Sequence, residues 1–165
     1  MTAHYYFAYG SNMNRERVVQ RGMGFEGLEP GTLANYSLIF NKRSVKQPGT
    51  ASANVMEDYG SVTEGVVYKL KHPSEIEMMD PYESYPICYN RMVMPISTRE
   101  VMVDAWVYVA NEAYVETGLK PAGWYLNHLL EGEPFLSKAY LSKLRKTECL
   151  DQFEVEPTTT ARAPL

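Results

Sequence analysis

The sequence predicts an α+β fold on three observations. Strand-like segments crowd the front of the chain, helical patterns pair up toward its carboxyl end, and no regular strand–helix alternation connects them. Steady alternation would instead mark a doubly wound parallel sheet. The 165 residues suit one globular domain, large enough to bury about two thirds of the surface its unfolded chain exposes. No internal repeat, low-complexity linker or shift in composition divides it.

The first strand is "YYFAY" at residues 5–9, aromatic and apolar, stopped by Gly10, Ser11 and Asn12. The polar "NRERVVQRG" that follows reads as a helix, with Asn12 or Asn14 as its cap and Glu16 in its first turn. "GMGFEG" reads as a loop. "GTLANYSLIF", "TASANVM", "GVVYKL", "YNRMVMPI" and "VMVDAWVYVA" bring the series to about six strands. Between the fourth and fifth, "PSEIEMMD" offers a helix start with Ser74 and Glu77 spaced as a capping box. Pro81 is expected to break or reset that helix at Asp80. "PAGWYLNHLL" reads as a short helix, and Leu136, Tyr140, Leu141 and Leu144 recur at helical spacing behind it. Residues 1–156 are expected to form the single domain, and 157–165, too poor in large apolar side chains to offset ordering entropy, a disordered tail.

Composition excludes several classes. A net charge of −4 argues against a general nucleic-acid binder, which needs clustered Lys and Arg to displace counterions. No apolar run approaches the roughly 20 residues of a membrane span, so no membrane partner is expected. The amino terminus lacks the pattern of a secretory signal, which makes the cytoplasm the expected location. Cys88 and Cys149 have no CxxC spacing and read as reduced thiols.

Three motif matches fail on context. Gly22, Gly24 and Gly27 satisfy G-x-G-x-x-G, yet a helical stretch precedes them and "LEPG" follows, where a dinucleotide site needs a strand before and a helix after. His4, His72 and His128 are far apart and show neither H-x-H nor H-E-x-x-H spacing, so no metal site is expected. Ser11 sits where a nucleophile elbow would, but the second glycine of G-x-S-x-G is missing and no histidine is placed by sequence to serve as its base.

Two places remain. At Gly10-Ser11-Asn12 a strand runs into a helix start: glycine lets a ligand approach the backbone, and unpaired N–H groups there suit an anion or oxyanion. The same residues also suit a plain helix cap. In "MMDPYESYPICYN", Asp80 and Glu83 lie in an unusually apolar setting. If the helix persists, Ile76, Met79 and Glu83 share a face, and a partly desolvated Glu83 would have the raised pKa of a general acid/base. The alternative is a solvated loop glutamate.

Together, "FAYGSNM", "GVVYKL", "MMDPYES" and "YNRMVM", in this order and approximate spacing, resemble the signatures of the γ-glutamylcyclotransferase family. "KPAGWYLNHLLEGEPFLSKAYLSKL" resembles its carboxyl-terminal helical pair, so the likeness covers roughly residues 5–150. The resemblance implies a small mixed, mostly antiparallel β-barrel with flanking helices. It also implies an acyltransferase or lyase that cyclises a γ-glutamyl amide to 5-oxoproline and expels an amine or amino acid. Carried over by position, it makes Glu83 the catalytic residue and Tyr6, Phe7, Ala8, Tyr9, Gly10, Ser11 and Asn12 the substrate-binding loop. Tyr89 and Tyr125 become pocket residues, though each also reads as a core aromatic. The substrate's own amine is the nucleophile, so neither a cofactor nor a metal is implied; the partner is a small γ-glutamyl compound, and a homodimer is left open. In many relatives glycine follows the catalytic glutamate; here Ser84 does, which bears on the turn around Glu83. Two other functions compete: a non-catalytic module that keeps the pocket for a small carboxylate or a protein, and a serine hydrolase acting through Ser11.

Overall fold

Runs of aromatic and β-branched residues pair edge to edge into a closed barrel. A computed structural model describes residues 2–158, so most of the expected tail, 159–165, lies outside the described residues. In chain order the elements are β1 (Tyr5–Ala8), α1 (Arg15–Gln20), β2 (Phe25–Arg43), β3 (Ala51–Leu70) and α2 (Ile76–Glu83), then β4 (Tyr89–Ser97), β5 (Met102–Ala110), α3 (Gly123–Leu130) and α4 (Lys138–Arg145). The strands close into a barrel in the order β1-β3-β2-β4-β5. All pairs are antiparallel except β1 with β5, where Tyr5 faces Ala105 and Tyr6 faces Trp106.

The described residues form five strands rather than six. "TASANVM" and "GVVYKL" belong to one strand, β3, bent by a bulge: Asp58 to Ser61 stand opposite the single residue Asn35 of β2. Gly60 and Asn35 both take positive φ there, 89° and 64°, and Gly60 N–H donates to Asn35 Oδ1. The turn-like composition of "EDYGS" is therefore real, but pairing resumes on both sides of it. "GMGFEG" is only partly a loop, since β2 begins at Phe25. Gly24 N–H donates to Glu75 Oε2 at 2.7 Å, and a Cβ on Gly24 would collide with that carboxylate.

The helix after β3 also differs from expectation. Pro73 opens a 3₁₀ turn over Pro73–Glu75, so Ser74 lies inside the turn and forms no capping box. Pro81 does not end the helix at Asp80; α2 runs on to Glu83. Near a helix end the missing N–H forfeits one hydrogen bond, and the ring's fixed φ is itself helical. Stronger forces hold the helix. Ile76 and Met79 are fully buried, at ~1.5–3 kcal/mol for each such side chain. Asp80 accepts two hydrogen bonds from Arg91 of β4, 2.9 Å from Nε and 3.1 Å from Nη2, and a third from Tyr108 of β5 at 2.7 Å.

The barrel interior is packed. Phe7 lies against Gly65 of β3, where any Cβ would strike its ring and the Ala8 carbonyl. α4 is capped by Ser137, whose hydroxyl accepts from Tyr140 N–H, and buries Leu141 and Leu144. Cys88 and Cys149 are free thiols. Among the described residues no helix is long and apolar enough to cross a membrane.

Candidate active site

Where β1 ends, the chain turns sharply at Gly10 and enters a 3₁₀ turn over Ser11–Met13. The first internal bond of that turn runs from Met13 N–H to the Gly10 carbonyl, which leaves the N–H groups of Ser11 and Asn12 without an acceptor inside it. A side chain at Gly10 would be tight: a Cβ would sit 3.2 Å from Tyr125 Oη and 3.3 Å from Ala53 Cβ. Asn14, not Asn12, caps α1, accepting from Glu16 N–H at 3.1 Å. Asn12 is thereby free to face inward.

Asn12 joins the two sequence-predicted places. Its Nδ2 donates to Glu83 Oε1 at 3.2 Å and to Tyr6 Oη at 2.9 Å, while its Oδ1 accepts from Arg21 Nη1 at 3.0 Å. Its own carbonyl accepts from Tyr68 Oη at 2.6 Å, which fixes the turn to β3. Glu83 sits at the last position of α2 on the face shared with Ile76 and Met79, and points into a cavity of about 100 Å³. Its side chain keeps 17% exposure, because it borders the cavity and not packed core.

The cavity brings together Tyr6, Tyr9, Gly10, Ser11, Asn12, Glu83, Tyr89 and Tyr125 of the predicted residues. Phe7 and Ala8 are buried in the barrel and do not line it. Tyr89 and Tyr125 clamp one residue of β3: Tyr89 Oη donates to the Ala53 carbonyl at 2.6 Å, and Ala53 N–H donates to Tyr125 Oη at 2.9 Å. Tyr9 Oη donates to the Tyr108 carbonyl at 2.5 Å. Tyr9, Tyr89 and Tyr125 are thus partnered as well as buried.

Sequence reasoning missed the cations. Arg21 lines the cavity, stacked 4.8 Å over the Tyr82 ring, with Nη1 3.9 Å from Glu83 Oε1. Lys42 of β2 is 8% exposed, its ammonium 5.3 Å from the centre of the Tyr89 ring. Among the described residues it pairs with no carboxylate. The only signal for it was the short basic run "NKRSVK". Arg17 and Trp124 complete the rim.

Burial sets the electrostatics. It raises the Glu83 carboxyl above the ordinary glutamate range, against the opposing pull of Arg21, Lys42, Arg17 and the Asn12 hydrogen bond. It lowers the Lys42 ammonium and lifts the phenols of Tyr6, Tyr9, Tyr89 and Tyr125. The chemistry on offer is a proton-transferring carboxylate facing backbone donors and two buried cations. The Ser11 hydroxyl forms no hydrogen bond to a histidine among the described residues, and His4 and His72 are exposed. Among the described residues no three His, Cys, Asp or Glu side chains converge as metal ligands.

A family model described as "Gamma-glutamyl cyclotransferase, AIG2-like" matches residues 6–127. No curated protein matches the sequence. A solved structure named "Gamma-glutamyl cyclotransferase" is 23% identical, with a TM-score of 0.77 over 90% of this chain and 90% of its own. A protein from Homo sapiens, described as uncharacterized, is 24% identical with a TM-score of 0.78, over 92% of this chain and 91% of its own. A yeast γ-glutamyl cyclotransferase specific to glutathione is 13% identical with a TM-score of 0.63, over 87% and 94%. These structures share the barrel and its flanking helices. The family match spans most of the chain and holds both the turn at Gly10 and Glu83; the chain belongs to the γ-glutamyl cyclotransferase, AIG2-like family.

Proposed function

We propose that the protein cyclises a γ-glutamyl amide to 5-oxoproline and releases an amine or amino acid, with Glu83 as general base and then general acid. The observation that carries this reading is the Asn12–Glu83 hydrogen bond, which sets a buried carboxylate of raised pKa against the open amides of Ser11 and Asn12. The substrate's α-nitrogen forms a bond to its own γ-carbonyl carbon, and the amide C–N bond to the leaving group breaks. Starting from the ammonium, the ring nitrogen sheds two protons and the leaving nitrogen takes up two. Glu83 carries them one at a time and returns to carboxylate after each transfer. No water is consumed.

The rest of the cavity fits the same substrate. The N–H groups of Ser11 and Asn12 suit the oxyanion that forms on the γ-carbonyl, and Lys42 supplies a countercharge for the substrate's α-carboxylate. With Lys42 and Arg21 against one glutamate, the cavity is net positive and desolvated, where such attraction is strongest. Its small volume admits the glutamyl head and leaves the remainder of the amide at the rim. Holding amine and carbonyl in contact lowers the barrier further through proximity.

The test is product identity. Incubation with a panel of γ-glutamyl amides in ¹⁸O-labelled water is expected to release 5-oxoproline and free amine in equal amounts, without label. Labelled glutamate would mean hydrolysis, and intact substrate across the panel would mean a binding module.

A further inference from the structure

Glu156, in the segment after α4, reaches back to the rim of the cavity and meets two donors there. Arg17 Nη1 lies 2.6 Å from its Oε1, and His128 Nε2 lies 3.2 Å from its Oε2. Asn14 Oδ1 is taken by Glu16 N–H, so the NH₂ of Asn14 faces His128 Nδ1 at 3.0 Å. An amide NH₂ only donates, so Nδ1 accepts and a neutral ring carries its proton on Nε2, which faces Glu156 and also lies 3.2 Å from Arg17 Nη1. Burial and the neighbouring Arg17 lower the pKa of that ring, against the pull of Glu156.

Arg17 and His128 therefore offer one donor to each oxygen of a carboxylate. The receptor is built in, with Arg17 at 13% exposure, whereas its occupant is half-surface, with Glu156 at 39%. Arg17 also lines the cavity, as does Trp124, whose ring meets His128 edge-on at 6.1 Å. Burial works to raise the Glu156 carboxyl, but Arg17 and His128 outweigh it and hold the group below the usual carboxylate range. His128 and Glu156 both lie beyond the matched residues 6–127.

We propose that Arg17 and His128 form a carboxylate-binding subsite for the leaving group, which Glu156 fills from within the chain until the substrate displaces it. This rests on the cyclotransferase reading and narrows it. The leaving group is an amino acid or peptide whose carboxylate lies past the scissile amide; a polyamine would bring positive charge against Arg17. Exchange of one carboxylate for another conserves charge at the rim, so binding need not strand Arg17 without a partner.

The test uses the full chain and γ-glutamyl amides of ω-amino acids from glycine to aminohexanoate, each beside its carboxamide, which differs only in the terminal charge. At the length that spans the rim, kcat/KM for the acid is expected to exceed that for the carboxamide by about tenfold or more, as for a charged hydrogen bond. Arg17→Met and His128→Gln are each expected to erase that ratio through KM, and Glu156→Gln to enlarge it severalfold. Equal rates for acid and carboxamide at every length, or a ratio that survives both receptor variants, would overturn the subsite. If Arg17→Met does not fold, His128→Gln and Glu156→Gln decide. A second readout needs no turnover: the His128 ring resonances are expected to shift with the free ω-amino acids and not with their carboxamides, at lower concentration in Glu156→Gln. Shifts without turnover keep the subsite and reject the cyclotransferase reading. Absence of shifts in both proteins rejects the subsite, whatever the turnover.

Discussion

Glu83 is a carboxylate that the fold makes reluctant to ionise, and this has consequences for both activity and stability. Its pKa is raised in the folded protein, so between the ordinary and the raised value the native state binds more protons than the unfolded state. Stability from this group therefore falls as pH rises through that window. Glu83→Gln is expected to unfold at the same or a higher temperature at neutral pH, by calorimetry. The acidic limb of kcat/KM for wild type is expected above the ordinary glutamate pKa, since the reaction starts from the carboxylate. Lys42 is the second test at this scale. Removing its charge by Lys42→Met is expected to weaken 5-oxoproline binding about 10- to 100-fold, the worth of one charged hydrogen bond, by titration calorimetry. Its effect on 2-pyrrolidinone, which lacks the carboxylate, should be much smaller. Glu83 was legible in the sequence because a carboxylate stood among apolar residues. Lys42 was not, because inward-facing and outward-facing lysines look alike until the barrel closes around one of them.

At the scale of elements, α2 is the part whose placement decides the site. It ends at Glu83, and Ser84 then adopts the left-handed conformation, φ 49° and ψ 43°. Ser84 thus keeps the turn at the steric cost of a non-glycine residue in that conformation. Ser84→Gly is expected to stabilise the protein by about 0.5–1 kcal/mol, the left-handed penalty less the extra chain entropy of glycine, in a urea titration. Activity should persist. Earlier in α2, Asp80 is held by Arg91, whose guanidinium lies 4.7 Å over Tyr85 and 4.4 Å over Trp106. Arg91→Ala is expected to cost about 2–3 kcal/mol, because it leaves a largely buried carboxylate unpaired, and to lower kcat by loosening α2. The sequence argued that Pro81 stops this helix. A local rule lost to tertiary anchoring, since neither Arg91 nor Tyr108 is near Asp80 in the chain.

For the whole molecule, the strands and helices were largely readable from alternation and periodicity, and the barrel from the resemblance alone. Periodicity finds strands but not their partners: nothing local says that β1 closes against β5 in parallel while the remaining pairs run antiparallel. The six-strand reading failed at Asp58–Ser61 because a bulge and a loop share the same residues, and only pairing across it tells them apart. Closure is also what unites the site. It sets the turn after β1, the end of α2, Lys42 of β2 and Tyr89 of β4 around one cavity, although they span 80 residues from Gly10 to Tyr89. The most direct measurement is the initial rate of 5-oxoproline release from the best γ-glutamyl substrate, for wild type and Glu83→Gln side by side. Release by wild type, slowed at least about 100-fold in the variant with the fold intact, is the expected result for a lost general acid/base. Undiminished release by Glu83→Gln would contradict it.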